Sequence, residues 1–213
     1  RQGPSPTNHF DQPVVGRLGF LSLLETYLGL AKPDVSSASR VAVYSGLLRA
    51  QDNGGRFYSE SFQADSIGTA ARLLAWRDEW RLGGWGGNAQ PEHPLRLLEL
   101  AAIETAAVGT LPAGEAERLL LVKQALQATG PVPIKSLQLV DPLEDFPVLW
   151  RQVIELLPEV QVLPPSPQGT GSIRVVQEQA LALIAGDALV KPDLPTDGSV
   201  QVIRSLSVTS VAA

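Results

Sequence analysis

The fold is decided by the stretch IKSLQLVDPLEDFPVLWRQVIELLPEVQVL, residues 134–163. Residues 134–140 are short, apolar and followed by Asp-Pro, a pattern typical of a buried strand. Apolar residues then recur at helical spacing over residues 146–157, which predicts a helix with Asp145 as its N-cap. Residues 160–163 predict a second strand. A strand, a helix and a strand this close in sequence predict a right-handed parallel βαβ unit.

The rest of the chain mainly supplies helices around this unit. Residues 36–130 show helical periodicity and capping residues but no strand signal, and they follow Val14-Val15, which predicts a short strand. We therefore expect an α/β fold with a small parallel sheet and a large inserted helical block, helix-rich overall. The expected parts are a tail or linker at 1–12, a discontinuous α/β core at 13–35 and 131–213, and a helical insertion at 36–130.

Helices are predicted on both sides of the βαβ unit in the sequence. The helix that starts at Asp65 or Ser66 is expected to carry Trp76 and Trp80 on the same side as its apolar residues Ala70 and Leu73. Beyond the βαβ unit, residues 172–186 predict a helix with Val176, Ala180, Leu183 and Ile184 facing inward, and residues 199–206 predict another strand.

Composition excludes several classes of protein. The 213 residues are 44% hydrophobic and 18% charged with a net charge of −5, which argues against a strong nucleic-acid binder. There is no cysteine, so disulfides, thiolate zinc sites and a cysteine nucleophile are excluded. No apolar run reaches the length of a membrane span, and no signal peptide is visible. Because the chain starts at Arg1 and lacks methionine, we expect it to be an excised or processed fragment.

Motifs for catalysis and cofactor binding are missing from the sequence. Gly16 and Gly19 flank a potential phosphate loop, but Phe20 follows where a nucleotide-binding loop needs lysine and a hydroxyl residue. The histidines, His9 and His93, belong to no motif for a catalytic triad or a metal site. The sequence therefore predicts no catalytic residue, no cofactor and no metal in this chain.

An acidic cluster follows the first strand of the βαβ unit. Asp141, Glu144 and Asp145 occupy the end of a strand where α/β proteins bind ligands and where a Walker-B carboxylate would hold Mg²⁺. In the alternative interpretation, Asp141 ends the strand and Asp145 caps the helix. We favour the second interpretation because no phosphate loop is present to share the metal.

Arg72, Arg77 and Arg81 form the nearest approach to a basic stripe, and they are the candidate nucleic-acid-binding residues. Asp78 and Glu79 lie between them and reduce the positive charge. The interpretation as a solvated helix face with local ion pairs is therefore favoured over a DNA-binding surface.

Several stretches resemble the helicase-like region of large bacterial nuclease proteins related to AddB/RexB. They are RLGFLSLLETYLGL at 17–30, Phe57-Tyr58, AARLLAWRDEW at 70–80, Gly84-Trp85, LQLVDPLEDFPVLW at 137–150 and VQVIRS at 200–205. These are hydrophobic patterns spread over most of the chain. The resemblance implies that the small sheet belongs to a degenerate P-loop lobe of an inactivated superfamily I helicase, with a PD-(D/E)XK nuclease domain far downstream.

This resemblance also implies a function and partners. The chain would be a non-catalytic scaffold in the DNA-repair processing of double-strand-break ends in the bacterial cytoplasm. Its implied partners are DNA, bound through the parent protein and weakly by the fragment alone, and a helicase–nuclease partner subunit; no membrane is implied. Two other hypotheses stay open: a partner- or small-ligand-binding α/β module unrelated to DNA, and a hydrolase that uses Asp141 or Glu144.

Overall fold

The computed structural model describes residues 13–130, 132–164 and 170–188. The predicted tail at 1–12 and the predicted strand at 199–206 lie outside the described residues. Contacts divide the chain into two compact units, Arg1–Gln161 and Val162–Ala213.

Helices make up most of the described structure, and the only sheet within these residues has two short strands. The helices are α1 (Arg17–Tyr27), α2 (Ser37–Gln51), α3 (Ser59–Ala64), α4 (Ser66–Leu82), α5 (Leu95–Ala107), α6 (Glu115–Thr129), α7 (Val148–Ile154) and α8 (Gly171–Ile184). The strands are β1 (Leu137–Leu139) and β2 (Val160–Val162).

The predicted strand–helix–strand order is confirmed in β1, α7 and β2. The two strands pair in parallel, and the amide of Leu137 donates to the carbonyl of Glu159 at 3.2 Å. Each strand is only three residues long, so the strand predicted at 134–140 was too long. The coarse prediction of a helix-rich α/β fold with a small parallel sheet is therefore confirmed.

The predicted start of α7 was wrong. Asp145 does not cap the helix; it ends a 3₁₀ turn, Leu143–Asp145, and the helix begins at Val148 after Pro147. Phe146 has an extended backbone with ψ 143°. A residue before proline is pushed out of the α region by the proline ring, so an α-helix could not run through Phe146.

The strand predicted at Val14-Val15 was also wrong. This segment has no regular structure, and Val14 is 96% exposed. A single segment that pairs with no neighbour cannot satisfy its backbone groups as a strand, whatever its β propensity.

The ends of several helices follow the predicted capping chemistry. The hydroxyl of Ser36 accepts from the amide of Ser39 at 3.1 Å, and a carboxylate oxygen of Asp65 accepts from Gly68 at 2.8 Å. Gly29, just past α1, has φ +67°, a left-handed conformation that glycine adopts without steric cost.

Two apolar clusters form the core of the first unit. The first cluster joins α1, α6, α7 and the strand region, and the second joins α2, α3, α4 and α5. The sequence prediction placed α6 in the insertion at 36–130, yet its buried residues Ala116, Leu119, Val122 and Leu126 pack in the first cluster with those of α1. Helix α4 contacts both α6 and α7, so it lies where the two clusters meet.

Helix α8 belongs to the second unit. The helix predicted at 172–186 starts at Gly171, after Thr170, and Ser172 is a buried residue of its first turn. Of the residues predicted to face inward, Ile184 is 82% exposed, and Val176 and Leu183 are exposed as well. Helical periodicity identifies which residues share a face, but it does not determine whether that face is covered.

Trp150 is the largest fully buried side chain among the described residues, as the helical stripe predicted. Its ring stacks on Phe20 of α1 with a centroid distance of 6.4 Å. Its indole Nε1 donates to Oε1 of Glu115, the first residue of α6, at 2.5 Å. One side chain on α7 therefore contacts both other helices of the first cluster.

Replacing Trp150 with alanine is expected to lower the free energy of unfolding by about 3–5 kcal/mol, because the large cavity cannot collapse fully. Chemical denaturation monitored by circular dichroism measures the change. Trp76→Ala is the matched control, since Trp76 is 45% exposed, and it should cost much less. Equal losses in the two variants would contradict the position assigned to Trp150.

Candidate functional site

The structure places the three candidate arginines in three different environments. Arg72 is exposed, Arg81 is half-buried, and Arg77 is only 5% exposed. They do not form one solvent-facing stripe, because the buried face of α4 runs through Ala70, Leu73 and Arg77. DNA binding by these residues stays a prediction, and only Arg72 is exposed for it.

Arg77 is held by three carboxylates. Its Nε and Nη2 donate to both oxygens of Glu104 on α5, at 2.8 and 2.9 Å. Nη2 also lies 2.7 Å from Oε1 of Glu117 on α6, and Nη1 lies 2.9 Å from Oδ1 of Asp78. This arrangement joins α4 to one helix of each core cluster.

Two more arginines extend this group. Arg40 of α2 forms a bidentate pair with Asp78 at 2.6 and 3.0 Å, and its Nε donates to the carbonyl of Pro112. Arg81 approaches Glu117 at 3.4 Å and the carbonyl of Trp85 at 3.3 Å. We call the six charged residues Arg40, Arg77, Asp78, Arg81, Glu104 and Glu117 the arginine cluster.

The electrostatics of the arginine cluster are those of a structural site. Burial acts to raise the pKa of Glu117, but the hydrogen bond and the charge of Arg77, together with hydrogen bonds from backbone amides, outweigh it and hold the pKa below its ordinary range. Burial raises the pKa of the neighbouring Tyr44 hydroxyl, and the charge of Glu104 adds to that rise. Three positive and three negative side chains compensate one another, so the cluster offers little net charge to a phosphate.

The candidate catalytic and cofactor residues form no site in the structure. Asp141, Glu144 and Asp145 are exposed, and no group of three or more potential ligands could hold a metal ion within the described ranges. Gly16 is the N-cap of α1 and follows an irregular segment, not a strand, so the geometry of a phosphate loop is missing there. His93 accepts a hydrogen bond from the amide of Gln90 in the turn before α5.

A shallow concave surface lies along one flank of α4, beside its buried face. A cavity of about 690 Å³ opens between the C-terminal end of this helix and the segment before α7. A second, smaller cavity of about 310 Å³ adjoins it, and Glu79 and Trp80 line both. We call the two together the tryptophan groove; its main walls are Trp76, Trp80, Trp85, Phe57, Phe146 and Pro147.

The rings of the tryptophan groove are arranged edge to face. Trp80 and Trp85 are perpendicular with centroids 5.8 Å apart, which is a favourable geometry for aromatic pairs. At the other end, the guanidinium of Arg96 lies 5.9 Å from the centroid of Phe57. Trp76 and Trp80 nevertheless remain 45% and 40% exposed. An apolar, partly open groove with a few charged groups at its edge is suited to binding a partner or ligand.

Sequence reasoning missed this groove because it placed Trp76 and Trp80 on the buried side of α4. The buried side instead contains Ala70, Leu73, Leu74 and Arg77. The signal that could have revealed the groove is the i, i+4 spacing of Trp76 and Trp80, with Glu79 beside them and Trp85 in the glycine-rich turn that follows.

Comparisons with protein-family models, curated protein sequences and solved structures gave no match to this chain. Among the helices of the described residues, none has both the length and the apolar content that a membrane span requires.

Replacing Arg77 with alanine is expected to cost about 3–5 kcal/mol in the free energy of unfolding, because Glu104 and Glu117 would be left without their main partner. Arg72→Ala on the same helix is the control and should change stability by no more than about 0.5 kcal/mol, since Arg72 is exposed. Thermal and urea unfolding of both variants provide the measurement. Similar small effects would show that the ion pairs of Arg77 do not stabilise the fold.

The lowered pKa of Glu117 predicts a loss of stability in acid. A carboxylate whose pKa is lower in the folded state stabilises above its unfolded pKa of about 4.3, and this contribution disappears as the pH falls through the folded value. Glu117→Gln should therefore lower stability at pH 7 and flatten the decrease below about pH 4.3. Glutamine keeps the size of the side chain but replaces one carboxylate oxygen with an NH₂ group, so it removes the charge and one of the two acceptors that serve Arg77 and the amide of Gly114. Urea unfolding of both proteins, measured from pH 2.5 to pH 7 in steps of about 0.5 pH unit, tests both effects. If the free energies of unfolding of the two proteins fell in parallel as the pH decreased, the lowered pKa of Glu117 would be contradicted.

Proposed function

We propose that the chain is a non-catalytic, helicase-like scaffold of a bacterial DNA-repair nuclease protein that processes double-strand-break ends in the cytoplasm. The observation that carries this proposal is a parallel strand–helix–strand unit without the groups for catalysis. Asp141 follows β1, at the position where a working helicase lobe would hold Mg²⁺, but it is exposed, and the sequence contains no lysine-bearing phosphate loop.

The described stretches that resemble the AddB/RexB-related proteins contribute residues to the two core clusters, and the stretch at 200–205 lies outside the described residues. The stretches at 17–30 and 137–150 contribute Leu21 and Trp150 to the first core cluster. The stretch at 70–80 and Tyr58 belong to the second cluster. The described stretches that carry the resemblance therefore belong to two adjoining core clusters. This supports assigning these stretches to one helicase-like scaffold. In this role the chain would position DNA and a helicase–nuclease partner subunit through the parent protein.

The second candidate function is a partner-binding module unrelated to DNA. The tryptophan groove favours it, because this groove is aromatic and carries the carboxylates of Glu79 and Asp145. Sequence beyond residue 213 of the parent protein distinguishes the two candidates. A second helicase lobe followed by nuclease carboxylates supports the first, and their absence supports the second.

The isolated chain is expected to bind DNA weakly, with a dissociation constant no lower than about 10⁻⁴ M at physiological salt. The chain has 22 acidic against 17 basic residues, and Arg40, Arg77, Arg81 and Arg118 are engaged in ion pairs with carboxylates. Fluorescence anisotropy of a labelled oligonucleotide, measured across a salt series, tests this for the chain and for the intact parent protein.

Two results would contradict these expectations. Submicromolar binding by the chain alone, with a steep salt dependence, would mean that a basic surface exists outside the arginine cluster. Failure of the intact parent protein to bind DNA would overturn the proposed role in DNA repair.

A further inference from the structure

We infer that the tryptophan groove binds an extended, proline-containing peptide segment that carries lysine or arginine and belongs to a partner protein. This inference goes beyond the scaffold role proposed above and does not depend on which of the two candidate functions is correct. The binding chemistry itself is derived from the groove.

The shape of the groove suits an extended chain. Two adjoining cavities share Trp80 as a common wall, so neighbouring side chains of one segment can occupy them in succession. Proline-rich segments adopt the polyproline II helix, which presents rings on a narrow ridge and docks in aromatic-lined grooves. The perpendicular rings of Trp80 and Trp85 provide flat faces on which such proline rings can pack.

Hydrogen-bond donors are available at the groove for the backbone of such a segment. The indole Nε1 of Trp85 is engaged, since it donates to the carbonyl of Asn88 at 2.8 Å. The indole N–H groups of Trp76 and Trp80 have no hydrogen-bond partner within the described part of the chain. A polyproline II helix has no internal hydrogen bonds, so its carbonyl groups are free to accept from these indoles.

Charge selects a basic segment and disfavours nucleic acid. The charged residues that line the larger cavity are Glu79 and Asp145, and both are exposed. Neither carboxylate has an ion-pair partner among the described residues, in contrast to Glu104 and Glu117. Two carboxylates beside aromatic faces attract a lysine or arginine and repel the phosphates of a nucleic-acid strand. Arg96 lies at the smaller cavity, against Phe57, and does not line the larger one.

The test is binding of a fluorescein-labelled synthetic peptide that alternates Pro-Pro with lysine or arginine, measured by fluorescence anisotropy with the full 213-residue chain. We expect saturable binding that weakens with salt. Peptides with glutamate in place of the basic residues, or alanine in place of proline, should bind at least about 10-fold more weakly.

Two protein variants locate the site. Trp80→Ala should weaken binding at least about 10-fold, as truncation of central interface tryptophans does. Glu79→Arg should have a comparable effect, whereas Glu155→Arg, which changes an exposed carboxylate at the far end of α7, should leave binding unchanged. Thermal unfolding of each variant confirms that it is folded, and both groove residues are exposed enough to be replaced without loss of the core.

Three outcomes would overturn the inference. They are no peptide binding by the folded wild-type chain at millimolar concentration, binding that is unchanged in Trp80→Ala, and equal binding of the acidic and basic peptides. Binding of a labelled oligothymidylate that depends on Trp80 would instead make the groove a single-strand site. DNA binding by the intact parent protein is measured separately, so failure of the peptide inference leaves the scaffold proposal standing, and the reverse also holds.

Discussion

The buried guanidinium of Arg77 is the interaction on which the arrangement of the helices depends. It lies on α4 and pairs with Glu104 of α5 and with Glu117 of α6, so it connects the two apolar clusters of the first unit. A charge in this position is costly to desolvate unless its partners are placed correctly. Helix α4 is therefore constrained in rotation, because turning it would expose apolar residues and separate Arg77 from its carboxylates.

That constraint has a consequence along the flank of the same helix. With Ala70, Leu73 and Arg77 facing inward, Trp76 and Trp80 lie at the edge of the buried face and remain partly exposed. The turn after α4 then brings Trp85 against Trp80, and Arg81 holds this turn by donating to the carbonyl of Trp85. The tryptophan groove thus lies along the flank of the helix whose buried face is fixed by the arginine cluster.

Local chemistry made much of the fold predictable from the sequence. The caps at Ser36 and Asp65, the glycine end of α1 and the burial of Trp150 each depend on residues that are near in sequence or on one helical stripe. The start of α7 at Val148 also depends on neighbouring residues, because Pro147 keeps the preceding residue out of the helical conformation. The sequence was therefore sufficient to predict it. The burial of Arg77 was not predictable in this way, because Glu104 lies 27 residues further along the chain. Without knowledge of that pairing, Arg77 is expected at the surface, and the groove beside the buried face of α4 cannot be deduced.

The groove also draws its walls from both core clusters. Leu82 and Phe146 pack on the first cluster, whereas Trp85 packs on the second. A ligand in the groove would therefore contact both clusters at their junction and favour the arrangement in which α4 and α7 are adjacent, since any ligand that binds only the folded arrangement stabilises it by mass action. The arginine cluster joins the two core clusters at the same junction through its compensated charges. The groove and the arginine cluster therefore both lie where the two clusters meet.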